Sequence, residues 1–210
     1  YWAYQDRDGL MEFVEKMMTD LVQRIKGGTE FDYQGNKIDF KIPWARISFR
    51  DLILKYAGID IEKASDAVLR KKIKAEKGAD RCKLLDELYK EICRPKLIQP
   101  TFLVDHPVGM AVLAKAKEQE PKYADRFQLI VGGIEMINGF SELNDPREQR
   151  KRFEGQKIAT ERKDKDFLEA LEYGMPPAAG IGIGIDRLII LLTDCHSLRE
   201  AILFPTMRPR

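Results

Sequence analysis

Residues Gly180–Asp194 read GIGIGIDRLIILLTD, with glycine at every second place. A period of two belongs to a strand, and it puts Ile181, Ile183 and Ile185 on one face and Gly180, Gly182 and Gly184 on the other. Interior glycines weaken a strand, so three in step predict either a bare face that something lies against or a tight crossing in the core. A planar group such as a purine fits the first reading. At Asp186-Arg187 the pattern changes to an apolar helical run, which sets a guanidinium beside a helix N-terminus. Both favour an anion such as phosphate. A dinucleotide fingerprint would need G-x-G-x-x-G, whereas the spacing here is G-x-G-x-G.

Upstream stands IEMINGFSELNDPREQRKRFEGQ, in which alternation puts Asn138, Phe140 and Glu142 on one strand face. An amide, a ring and a carboxylate in line form a pocket suited to an ammonium group, held by charge and by the ring's π face. A solvent-facing strand edge is the alternative. Strict alternation sends Glu135 to the opposite face, and a bulge near Gly139 would bring it back.

The remaining chain supplies the frame. It opens YWAYQD, read as a strand with its aromatics in the core. Asp8 is placed to cap a helix whose apolar residues, Leu10 to Ile25, recur at helical spacing until Gly27-Gly28. Residues 29–47 read as a hairpin turning at Gly35-Asn36, and S-x-x-D at Ser48 reads as a capped short helix. Residues 58–96 read as a charged helical insertion, closed by Pro95, whose lysines form a solvated face, with contact to a polyanion as the alternative. Apolar segments follow at 97–104 and 127–137, with a helical turn expected in HPVGMAVLAKAK between them. Asp145-Pro146 begins a helix expected to reach about residue 162, and another spans Asp164 to Tyr173. Strands interleaved with helices, without regular strand-helix-strand spacing, predict an α+β domain with a largely antiparallel sheet.

Composition narrows the classes. The 210 residues are 44% hydrophobic and 33% charged, with net charge +2, so no overall field points to nucleic acid. Three cysteines (Cys82, Cys93, Cys195) and two histidines (His106, His196) form no zinc-ligand spacing, and no triad is suggested. A reducing cytoplasm is the expected compartment. No apolar run reaches the about 18 residues of a membrane helix, so no membrane partner is expected. Opening without methionine, the sequence reads as a piece of a longer protein.

NGFSELNDPREQRKRFEGQ, followed by LEYGMPPAAGIGIGIDRLIILLTDCHSLREAILFPTMRP, resembles the class II lysyl-tRNA synthetases over essentially the whole chain. GIGIGIDR looks like that family's third class-defining motif and YWAYQD like the tail of its second. FSELNDP separates the chain from aspartyl and asparaginyl relatives and from shorter lysyl-transferases. The resemblance implies a class II synthetase-like antiparallel sheet flanked by helices, with the partial catalytic domain spanning 1–210 and the helical insertion at 58–96. It implies ATP-dependent activation of lysine with Mg²⁺, then transfer to tRNA(Lys), in an enzyme that is a homodimer when intact. It assigns Arg187 to the γ-phosphate as the catalytic residue, and Gly182, Gly184 and Asp186 with it to ATP. Tyr1, Asn138, Phe140 and Glu142 are assigned to lysine, with Glu142 and Tyr1 meeting the ε-ammonium, and Glu135 to Mg²⁺.

Departures accompany the match. A second magnesium glutamate is replaced by Gln128, whose amide oxygen ligates without charge. Gly109 and Ala111 stand where relatives tend to carry Glu and Ser. The first motif, the arginine-bearing body of the second and the anticodon-binding barrel precede Tyr1 in the family, so the chain alone is expected to be at best a weak binder. A lysyl-transferase acting on a translation factor and a non-catalytic binding module remain alternatives.

Overall fold

Asp6, not Asp8, starts the first helix: its carboxylate accepts the Gly9 N–H at 2.9 Å, and α1 runs Arg7–Lys26. Gly27 ends it in the left-handed conformation at φ 77°. Leu10, Met11, Val14, Met18 and Val22 make its buried stripe, while Phe13 and Ile25 lie outside that stripe and are exposed. The computed structural model describes residues 1–76, 78–155 and 164–206.

A six-stranded sheet organises the chain in the order β1-β8-β7-β6-β5-β4. Its strands are β1 (Trp2–Ala3), β4 (Ala45–Ser48), β5 (Thr101–Val104), β6 (Arg126–Val131), β7 (Ile134–Ser141) and β8 (Ala178–Ile183). All neighbours pair antiparallel except β4 with β5. This is the α+β, largely antiparallel architecture that the strand spacing predicts. The hairpin of β2 (Glu30–Tyr33) and β3 (Asn36–Asp39) stands apart and turns at Gln34-Gly35, both at positive φ, one residue before the expected place. The apolar segment 127–137 is two strands, because Gly132 and Gly133, at φ 58° and 73°, make a tight turn inside it.

One sheet face is sealed by α1, the hairpin and α7 (Ile185–Thr193), around Phe102, Phe127, Leu129, Ile137 and Ala179. The other face is covered only over its β4-β5-β6 half. There α2 (Phe49–Ala57), α3 (Asp66–Lys72), α4 (Arg81–Leu88) and a π-helical turn at Tyr89–Cys93 pack Leu52, Leu84, Leu88 and Tyr89 onto Leu103 and Ile130. Ser48 caps α2 as expected, accepting the Asp51 N–H at 3.0 Å. The helices within 58–96 thus wall the uncovered half of the face. The β7-β8 half keeps its polar side chains open.

Further along, the expected helical turn is the 3-10 turn Val108–Met110, and α5 (Pro146–Gly155) begins at Asp145-Pro146. Its expected continuation to residue 162 lies outside the described residues. Asp164 caps α6 (Lys165–Tyr173), accepting the Phe167 N–H at 2.9 Å. The opening aromatics are not core: Tyr1, Trp2 and Tyr4 are exposed at the sheet's edge, where β1 pairs only with β8 and Tyr4 leaves the strand at φ 58°.

Candidate functional site

Register decides which side chains share the open face. In β7 and β8, Phe140 lies opposite Gly180 and Asn138 opposite Gly182, so both glycines and both side chains point to one side. Across β7 and β6, Arg126 lies opposite Phe140 and Gln128 opposite Asn138, which adds an arginine and an amide to that side. Pairing then shifts from Leu129–Ile137 to Ile130–Glu135, leaving Met136 as the extra residue of a bulge. Met136 and Ile137 both turn into the sealed core, and Glu135 joins the face of Asn138 and Phe140. The bulge is three residues before Gly139, where the sequence suggested it. Gly139 has another duty: a Cβ there would stand 2.6 Å from Phe127 Cε1 and 2.7 Å from Ile181 Cγ2, inside the sealed core.

The glycines of β8 differ in what they make room for. A Cβ on Gly180 would stand 2.6 Å from Glu142 Oε1 and 2.9 Å from the Tyr1 ring, so a carboxylate and a phenol converge over bare backbone. A Cβ on Gly182 would meet nothing nearer than the Asn138 carbonyl oxygen at 4.0 Å, which leaves an open shelf. Gly184 is no longer strand. Helix α7 begins at Ile185, earlier than the Asp186-Arg187 switch expected, and a Cβ on Gly184 would press on Arg187 Cδ at 3.1 Å. Ile185 is therefore exposed at the helix start rather than in the core. Arg187 lays its stem on Gly184 and donates from Nη1 to the Glu135 carbonyl at 2.8 Å, tying the helix start to the bulge. Asp186 is exposed in the first turn of α7.

Electrostatics set the character of the pocket. Burial pushes the Glu142 carboxyl up to about 7. A carboxylate in such a place gains from a cation brought beside it. Phe140 packs half-buried on Ala111, Ala114 and Ala124. Asn138 is held by Arg126, whose Nε donates to its Oδ1 at 2.8 Å while Nη1 donates to the Met110 carbonyl at 3.1 Å. Desolvation lowers the Arg126 pKa, against the opposing charges of Glu135 and Asp86. Beside Glu142, a cavity of about 510 Å³ opens among Asp6, Asp8, Lys115, Asp125 and Ala178.

Several of these participants are absent from the sequence reading. Arg126 was findable, since it lies in phase with Gln128 on an apolar strand. Tyr89 and Asp86 were not, because helical spacing alone does not say which side of the insertion meets the sheet. Buried His106 was discounted for lack of a nucleophile, yet its Nε2 lies 3.0 Å from Gln128 Oε1.

That contact bears on Mg²⁺. A site drawing on positions 128 and 135 together would need the Gln128 oxygen, which is uncharged and already lies 3.0 Å from His106 Nε2. Glu135 is then the sole carboxylate of the pair, with Arg126 as a cationic neighbour. Among the described residues no group of three or more His, Cys, Asp or Glu is placed to hold a metal ion. The pair does not fit a shared metal site.

A largely antiparallel sheet sealed on one side, with a half-open polar face and an arginine at a strand-to-helix switch, is consistent with the class II synthetase fold. Residues 1–208 match the family model for class II tRNA synthetases (D, K and N), and the chain belongs to that family. It is 46% identical to the lysine–tRNA ligase of Dehalococcoides mccartyi strain 195 over the whole chain and 45% of that relative. Against those of Moorella thermoacetica and Fervidobacterium nodosum it is 44% identical, over the whole chain and 46% and 43% of the relatives. The chain thus spans less than half the length of these curated relatives.

Proposed function

We propose that this chain carries the lysine- and ATP-binding face of a lysine–tRNA ligase. The observation that carries the reading is the convergence of Glu142 and Tyr1 over Gly180, on the face where Gly182 lies bare opposite Asn138. The ε-ammonium of lysine sits between the Glu142 carboxylate and the Tyr1 phenol, and its aliphatic stem lies along Phe140. Asn138, already oriented by Arg126, keeps its amide N–H groups for the substrate. The purine lies on the shelf at Gly182, and Arg187 turns from the Glu135 carbonyl to grip the γ-phosphate.

Activation then asks little covalent chemistry of the protein. A lysine carboxylate oxygen bonds to the α-phosphorus, the bond to the bridging oxygen of the β-phosphate breaks, and pyrophosphate leaves. Holding the two reactants in line and stabilising the charge that develops are what the face contributes. Transfer of the lysyl group to the terminal ribose of tRNA(Lys), dimerisation and a cytoplasmic setting complete the reading; among the described residues no helix is long and apolar enough to cross a membrane.

Calorimetric titration with L-lysine and L-norleucine tests the ammonium pocket. The reading predicts heat for lysine alone, since norleucine keeps the stem without the charge. Equal affinity for the two amino acids would refute it.

A further inference from the structure

On the same side of the sheet, beneath the covering helices, a pocket of about 290 Å³ is lined by Asp86, Tyr89, His106, Arg126 and Gln128 together with other side chains. His106 and Gln128 are both almost wholly buried, and the Gln128 oxygen can only accept, so His106 Nε2 carries the proton of their 3.0 Å bond. The other ring nitrogen, Nδ1, is a buried acceptor with no partner, and the Tyr89 hydroxyl nearby is equally unpartnered. With its oxygen turned toward His106, the Gln128 amide is oriented with its N–H group away from the ring. On the same sheet face stand Asn138 and the Gly182 shelf, with Arg126 one pair further along β6.

We propose that His106 is a positioning residue that locks Gln128 as a hydrogen-bond donor, so that position 128 meets a phosphate oxygen of the nucleotide directly rather than through a metal ion. This rests on the reading of the open face as a nucleotide site. It follows from the donor set: an amide turned with its N–H group to the face can donate to a phosphate oxygen, and the Arg126 guanidinium beside it favours that anion over a divalent cation. Glutamate at position 128 would instead present acceptors only, and would need a cation between itself and the phosphate.

Side-chain ¹⁵N NMR of the chain tests the lock and its ligand separately. The first arm reads the His106 tautomer without ligand: a protonated Nε2 with a bare Nδ1 is expected, and a protonated Nδ1 would turn Gln128 around and overturn the proposal. The second arm adds ATP in EDTA. The Gln128 amide signals are expected to move together with Gly182, and Gln128→Glu is expected to weaken ATP in EDTA by about tenfold or more and to regain affinity with Mg²⁺, since a hydrogen bond to a charged group is lost. Movement of Gly182 without Gln128, or selective broadening of the Gln128 amide by Mn²⁺ alone, would overturn the proposal. If ATP moves neither residue, the nucleotide reading fails and takes the phosphate contact with it, whatever the tautomer arm shows.

Discussion

Glu142 yields the sharpest prediction, because its burial on the open face gives it a distinctive titration. With its midpoint raised to about 7, the carboxyl stays protonated well above the range of an exposed glutamate. Only the ionised form attracts an ammonium group, so at pH 6 about a tenth of the protein is competent and at pH 8 about nine-tenths. Lysine binding is therefore predicted to weaken about tenfold between pH 8 and pH 6, while lysine itself stays fully charged. Bound lysine pulls the midpoint back down. Stability runs the opposite way: the folded state holds this proton more tightly than the unfolded one, so the group favours folding as pH falls through 7 and opposes it above. Glu142→Gln is predicted to abolish the pH dependence of lysine binding and to raise the melting temperature at pH 8 but not at pH 4, below the unfolded value, modestly because the side chain is partly open to water. Carbon-detected NMR of the Glu142 carboxyl from pH 4 to 9, with and without lysine, reads the midpoint directly. A midpoint near 4.3, the ordinary glutamate value, would refute the reasoning.

Other substitutions separate site from scaffold. Gly180→Ala places a methyl group 2.6 Å from Glu142 Oε1 and 2.9 Å from the Tyr1 ring, both flexible ends that move aside. A misplacement of this size is predicted to cost about 10²-fold in lysine affinity while leaving the melting temperature nearly unchanged, as calorimetry and a thermal melt would show. Gly139→Ala meets Phe127 and Ile181 inside the core and is predicted to destabilise by about 1–3 kcal/mol in urea unfolding. Arg7 pairs with Asp105 at 3.0 Å and Asp125 at 3.3 Å where α1 starts, and Arg7→Met leaves both carboxylates without it, at a predicted cost of about 2–3 kcal/mol by the same measurement.

Legibility in the sequence followed the range of the interactions. Period-two alternation placed Asn138, Phe140, Gly180 and Gly182 correctly because it is local, and the Ser48 and Asp164 caps were equally readable. Glu135 was not: its face depends on a bulge at Met136, which exists only as a mismatch in the pairing of β6 with β7. Composition cannot show which side of α4 meets the sheet, so Tyr89 and Asp86 escaped while neighbouring lysines drew notice. Gly184 shows how one residue type serves different ends, since it makes room for the stem of Arg187 rather than for open face. The opening aromatics misled because apolar residues usually mean core, whereas these stand exposed at the sheet's edge.

The central claim is that one sheet face, from Glu135 through Asn138 to Glu142 and Tyr1, recognises lysine joined to an adenine nucleotide. A thermal melt with a non-hydrolysable lysyl-adenylate analogue, set against the aspartyl analogue, tests it most directly. At about a hundred times its dissociation constant a ligand adds roughly 2.7 kcal/mol, which for a chain of this size moves the melting temperature by about 5–10 °C. The account predicts that rise for the lysyl analogue and none for the aspartyl one. Equal shifts for both, or a shift for the aspartyl analogue alone, would contradict it.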